Sequence, residues 1–351
     1  MMLVDNEQGS MFSRFVHEQL WDASIKYKDT PVFGESATWL RKFPGRRTST
    51  LNLEGSDSPI LLSPAPENAL PDIAVTFRPD IVVGSSIARP TWRSIQATCE
   101  MLHIPTALYL REAVAVGHLK PVDGHPFIRD DLLLANSRTL VTAAERVGAR
   151  AHFVPSVVDL DAALVESTRE RVLLINPRRE HGVDLIEVVA ERFRTIEFVL
   201  QESWPLTNEE RSHVDSLLSR HPNVIFRPRT EDRSEVYRDA VMLLAPHHMD
   251  NRPRAILEAL SNGIPVIAND HAGLRESVGP GGIIAAETHE WITAINRLWK
   301  DQSYYLSFQN QATSFASRAE VQPEQIAMSF LTHVHAAIQQ RRNRWIDLTA
   351  Q

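Results

Sequence analysis

The chain has a single cysteine, Cys99, in 351 residues. An internal disulfide is therefore excluded, and with it the small disulfide-stapled scaffolds. No run approaches the twenty apolar residues of a membrane span. The first residues (Asp5, Asn6, Glu7, Gln8) lack the basic-then-apolar pattern of a secretory signal, so a cytoplasmic location is expected. Positive charge is not in excess: 37 Lys and Arg stand against 44 Asp and Glu, a net of −7. That balance argues against a nucleic-acid binder working by bulk charge. With only 14 glycines and 43% apolar residues, the chain is neither collagen-like nor disordered. It is too long for one hydrophobic core, so two domains are expected.

Both halves alternate short apolar runs with helical patterns. The runs of the first half are 80–84, 104–110, 131–135 and 151–154, with helices expected at 90–103 and 137–148. The second half has runs at 171–176, 196–200, 223–227, 241–245, 264–268 and 281–284. Helices are expected there at 183–194, 206–221, 233–240, 252–262 and 287–300. Near-continuous apolar strands separated by helices imply parallel sheets covered on both faces, hence an α/β protein with two doubly wound, Rossmann-like domains. Residues 155–161 read as the joint. Met11 to Tyr27 reads as an amphipathic helix, 28–59 as loops and 322–345 as a long C-terminal helix. Arg341, Arg342 and Arg344 near that helix's end complement its dipole.

The segment 243–268 carries the chemistry. It reads as strand, loop, helix and strand, with Pro253 suited to the first helical turn and Gly263 to its end. Glu258 sits among apolar neighbours in Ala255-Ile-Leu-Glu-Ala-Leu260. A carboxylate there needs either a partner, for which Arg254 one turn earlier is available, or a polar cleft to face. His247, His248 and Asp250 could suggest a metal, but neighbours in an extended segment point to opposite sides, and a loop lining the cleft is the preferred reading. Trp92, Trp204 and Trp291 read as packing residues, and Glu112 and His118 as loop or packing residues that could touch an acceptor. Arg227, Arg229 and Arg233 are divided evenly between ligand contacts and a solvated loop.

Asp250, seven intervening residues, Glu258, then Ala259-Leu-Ser-Asn-Gly-Ile-Pro-Val-Ile-Ala268 and Ala272-Gly-Leu-Arg-Glu276 resemble the signature of the family-four retaining glycosyltransferases (glycosyl transferases group 1). Asn136-Ser137 through Asp159 and Asn176-Pro-Arg-Arg-Glu-His-Gly-Val-Asp184 are similar to other stretches of that family. The resemblance covers 131–300 well, 80–112 loosely and 1–60 hardly at all.

This resemblance implies a GT-B fold, with the C-terminal helix crossing back to the N-domain. It implies domains of 1–158 plus 325–351 on the acceptor side and 159–324 for the nucleotide-sugar. The implied activity is transfer of a sugar from a nucleotide-sugar to a small-molecule or glycan acceptor, without a metal or cofactor. Alternatives within the fold are an epimerase, a pseudo-glycosyltransferase, or a non-catalytic nucleotide-binding member. Asp250, Arg178 and Glu258 are the implied catalytic residues, with Glu258 accepting from the ribose hydroxyls and Asp250 beside the sugar. The implied donor-binding set is Arg178, Arg179, His181, Arg229, Asn251, Arg252, Arg254 and Glu258. Guanidinium groups and helix N-termini would meet the departing diphosphate. The chain departs from the family at Asp250, where glutamate is usual, at Asn251-Arg252-Pro253 in place of Gly-Phe-Gly, and at His181 in place of lysine. His181 would supply full charge only when protonated.

Overall fold

The structure, a computed structural model, describes residues 2–5, 49–51, 60–63, 66–85, 87–120, 130–249 and 252–349. In chain order the first elements are β1 (Met2–Asp5), β2 (Ser49–Leu51), β3 (Ile60–Ser63), α1 (Pro66–Phe77), β4 (Val82–Ser85), α2 (Arg89–Met101), β5 (Thr106–Leu110), β6 (Leu132–Ala135), α3 (Arg138–Arg146) and β7 (His152–Phe153). Next come β8 (Arg171–Ile175), α4 (Leu185–Arg192), β9 (Glu197–Gln201), α5 (Asn208–Arg220), β10 (Val224–Arg227), α6 (Arg233–Tyr237), β11 (Ala240–Ala245) and α7 (Arg254–Ser261). The chain closes with β12 (Val266–Ala268), α8 (Ala272–Val278), β13 (Gly282–Ile284), α9 (Thr288–Lys300), α10 (Gln302–Ala316) and α11 (Pro323–Thr349).

There are two compact units, one of Met1–Tyr109, Lys120–Leu132 and Val334–Gln351, the other of Leu110–Leu119 and Leu133–His333. The strands form three sheets, ordered β1-β3-β2, β4-β5-β6-β7 and β10-β9-β8-β11-β12-β13. β1 runs parallel to β3, and β2, which falls inside the 28–59 stretch expected as loops, pairs antiparallel with β3. The expected helix at Met11 to Tyr27 lies outside the described residues.

The six-stranded sheet is parallel throughout. Its order places β8, the first strand, beside β11, the fourth, so the winding reverses direction between them. All six residues of β11 are buried, as a strand covered on both faces requires. Alternate side chains feed opposite cores: Val172 and Leu174 join Phe198, Leu200 and Ile186 on one side, while Leu173 joins Val199, Ile256 and Leu260 on the other. The helices are capped locally. Thr207 and Glu210 form a reciprocal capping box at α5, and the Ser137 hydroxyl accepts from Leu140 N–H at α3. Pro253 lies just ahead of α7 rather than in its first turn, and Gly263 follows that helix with φ +64°.

Within the first unit, α11 is tied down by ion pairs. Arg341 reaches Glu100 at 2.7 Å and Asp131 at 3.7 Å, and Arg342 reaches Asp80 at 2.8 Å. These arginines therefore fasten the helix as well as complementing its dipole.

In the second unit, Asp239 accepts from Arg171 at 2.6 Å and from both guanidinium nitrogens of Arg227, one at 3.0 Å. Arg227 is thereby committed to the sheet edge. Burial works to raise the Asp239 pKa, but the Arg227 and Arg171 hydrogen bonds outweigh it and hold the carboxyl below its usual range. A depressed pKa contributes stability that is present above the unfolded value, about 3.9, and lost as pH falls through the folded value. Asp239→Asn should lower unfolding stability at pH 7 by about 1.5–3 kcal/mol in urea titrations. The gap to wild type should narrow below about pH 4. A gap independent of pH would remove the ionised Asp239 from this role.

Candidate functional site

Three segments leave the carboxyl ends of neighbouring strands in the six-stranded sheet, where α/β proteins hold ligands. The first follows β8. Asn176 takes a left-handed conformation, φ +56°, and its Oδ1 accepts from Ser203 and Trp204 N–H at 3.1 and 2.8 Å. The chain then turns through Arg178, Arg179 and His181 to Gly182, which has φ +74°. A Cβ at Gly182 would lie 2.1 Å from the Pro246 carbonyl oxygen, so only glycine allows the two turns to approach. The second segment follows β11, where His248 N–H donates to the Glu180 carbonyl at 2.9 Å. From the third, after β12, Asn269 Nδ2 donates to the His247 carbonyl at 3.1 Å.

These turns bring His181 and His247 face to face, with ring centroids 4.6 Å apart and planes 27° from parallel. His181 Nδ1 lies 3.1 Å from the Asn176 carbonyl. Burial lowers the His181 pKa, against the opposing pull of that carbonyl and of Glu180. In the free protein the ring is thus biased toward its neutral form. Arg178 is buried, donates to the Pro205 carbonyl at 2.6 Å and lies 3.6 Å from Glu210. Its guanidinium braces the turn to the segment before α5, whereas Arg179 is exposed. Arg229 is half-buried, and its N–H donates to Glu202 at 3.3 Å.

Glu258 belongs to a second cluster. Its Oε1 accepts from Arg233 at 2.7 Å and its Oε2 from the Tyr237 hydroxyl at 2.6 Å. Arg233 also donates to the Asp159 carbonyl at 2.6 Å. The partner of Glu258 is therefore Arg233 and not Arg254, which is exposed. The helical i−4 neighbour is displaced by a guanidinium from α6 that hydrogen-bonds the carboxylate directly. Tyr237 is only 1% exposed, and burial first, then the Glu258 charge, pushes its pKa well above the usual phenol value. It remains a donor at neutral pH.

Arg252 donates to the Asn136 carbonyl at 2.8 Å and lies 4.0 Å from Glu276. Glu276 in turn accepts from the Arg138 and Thr139 N–H groups at the start of α3, a favourable place for a carboxylate. Arg252, Arg254, Asn136, Ser156, Leu257 and Arg318 line a small pocket of about 30 Å³ in the second unit. Asp250 and Asn251 lie outside the described residues, as does the His118 side chain. Glu112 is exposed, and Trp92 and Trp291 are buried as packing residues. Among the described residues no three His, Cys, Asp or Glu side chains come together as metal ligands would. Sequence reasoning missed the Arg233–Glu258–Tyr237 cluster and the His181–His247 stack. Arg233 was legible only as one of three arginines divided between ligand contacts and a solvated loop.

Residues 183–301 match the model of the family described as Glycosyl transferases group 1. No curated protein matches the chain. Among solved structures, Anabaena Alr3699/HepE in complex with UDP-glucose is 15% identical, with TM-score 0.60 over 80% of this chain and 82% of that one. Sucrose-phosphate synthase from Thermosynechococcus elongatus is 14% identical, with TM-score 0.58 over 81% and 77%. The catalytic domain of Starch Synthase IV from Arabidopsis thaliana, bound to ADP and acarbose, is 11% identical, with TM-score 0.61 over 83% and 84%. The fold is GT-B, with two parallel-sheet Rossmann-like domains and a long C-terminal helix. The matched stretch of that family model includes the segment that bears Glu258.

Tyr237→Phe should leave Glu258 Oε2 without its buried donor and lower stability by about 1–3 kcal/mol. Arg254→Ala should change it by less than about 0.5 kcal/mol. Urea unfolding of both variants checks this, and equal losses would restore Arg254 as the carboxylate's partner.

Proposed function

We propose that the protein moves a sugar from a nucleotide-sugar to a small-molecule or glycan acceptor with retention of configuration, and that Glu258 receives the donor's ribose. The observation supporting this most strongly is the state of that carboxylate. Arg233 orients it through one oxygen, Tyr237 anchors the other, and each oxygen meets one of these donors. A carboxylate oxygen accepts about two hydrogen bonds, so each keeps a position for one hydroxyl of a ribose diol. Holding the carboxylate in place before the ligand arrives reduces the ordering cost of binding. The HepE structure contains UDP-glucose and the starch synthase domain ADP, which supports a donor of this class here.

In this reading the diphosphate lies over the turn after β8. Arg179 offers an exposed guanidinium there, and Arg178 acts by holding the turn in shape. Charge growing on the leaving phosphate is met more strongly in the transition state than in the ground state, which is the condition for acceleration. Asp250 is assigned to the sugar end of the donor by its place in the family signature, and Asn251, Arg252 and Arg254 to donor contacts beside it. The same reading puts the protein in the cytoplasm, where Cys99 stays a buried free thiol. Retention on the donor-phosphate face requires no metal, so EDTA should leave donor turnover intact. Loss of turnover in EDTA that magnesium or manganese restores would contradict this.

Glu258→Gln supplies one good acceptor instead of two and weakens a charge-assisted bond. Its affinity for the preferred donor among UDP-glucose, GDP-mannose, ADP-glucose and TDP-glucose should fall by roughly ten- to a hundredfold. The wild type should discriminate against the 2′-deoxyribose form of that donor, and the variant less so. A lowered Tm with unchanged donor affinity would leave Glu258 a purely structural residue. Turnover of the donor with and without an acceptor separates transfer from epimerisation and from binding alone.

A further inference from the structure

The His181–His247 stack is not explained by packing alone. Both rings rise from turns at the one place in the six-stranded sheet where the winding reverses, between β8 and β11. Three devices hold them there: the Gly182–Pro246 contact, the His248 N–H bond to Glu180, and the Asn269 bond to His247.

We propose that His181 and His247 form a proton-linked diphosphate clamp, with His247 a second donor-binding ring, and that the pair takes up one shared proton when a nucleotide-sugar binds. This rests on the nucleotide-sugar reading above and adds to it a residue and a pH response.

The geometry sets the proton's place. A neutral His181 that donates Nδ1–H to the Asn176 carbonyl presents Nε2 as its basic nitrogen. The carbonyl favours the cation and burial disfavours it. A diphosphate carries two negative charges without a proton to give, so its arrival tips the ring to imidazolium. Two stacked imidazolium rings would repel, which limits the pair to one proton. The charged groups around His181 are Glu180 and Arg178 on its own turn and Glu210 on α5. Arg178 opposes protonation and the two glutamates favour it.

The sign follows. The His181 pKa is lowered in the free protein and raised in the complex, so affinity is greatest below the free value. It falls as pH rises through the interval between the two, and is constant above the bound value. One unit of separation gives about a tenfold fall in affinity.

Isothermal titration calorimetry with UDP-glucose, GDP-mannose, ADP-glucose and TDP-glucose tests this in buffers of different ionisation enthalpy. The diphosphate of these sugars does not titrate near neutrality, so any proton taken up enters the protein. The wild type should take up between about half a proton and one proton near pH 7. His181→Lys should bind with no uptake and a flat pH profile. His247→Gln should bind more weakly and take up less. Donor binding without proton uptake by the wild type would overturn the clamp while leaving the nucleotide-sugar reading standing. His247→Gln with wild-type affinity and uptake would remove His247 from it. Binding of none of the four would overturn both the clamp and the reading beneath it.

Discussion

The candidate site depends on how closely two turns can approach. Gly182 lies against the Pro246 carbonyl at a distance that no side chain tolerates, and its left-handed backbone independently favours glycine. That contact locks the segment after β8 to the segment after β11, across the point where the sheet reverses its winding. The bonds from His248 to Glu180 and from Asn269 to His247 extend the lock to β12. The rigidity of the sheet is thereby passed to loops that would otherwise wander, and loops held in this way can present charged groups to a ligand.

Within this frame, residues that look equivalent in the chain take different roles. Arg178 and Arg179 are adjacent, yet one braces a carbonyl inside the wall and the other faces outward. Arg227 and Arg233 flank one loop. The first pairs with Asp239 just ahead of β11, while the second orients Glu258. A carboxylate held by a buried phenol and a guanidinium is costly to desolvate and is retained here beside the open ends of the strands. That placement connects its energetics with ligand binding.

Much of the fold was legible because apolar runs of four to six residues have few alternatives in a parallel sheet. Val241 to Ala245 is the clearest case, buried at every position. α10 was not legible: Gln302 to Ala316 is rich in Gln, Ser and Asn, and only Tyr305, Ala312 and Ala316 are buried. Glu258 could be singled out because a carboxylate in an apolar helix face demands an explanation. Its partner could not, since the sequence shows only helical neighbours and Arg233 arrives from another element. His247 was read against its neighbours His248 and Asp250 for the same reason, when its partner stands at the end of the adjacent strand.

The central claim is that a nucleotide-sugar occupies the ends of β8 and β11 and reaches Glu258. Hydrogen–deuterium exchange on the full chain, with and without the tightest-binding of the four nucleotide-sugars, tests it most directly. Protection should concentrate in 176–184, 228–238 and 246–259. Protection confined to other segments, or none with any of the four, would contradict the account.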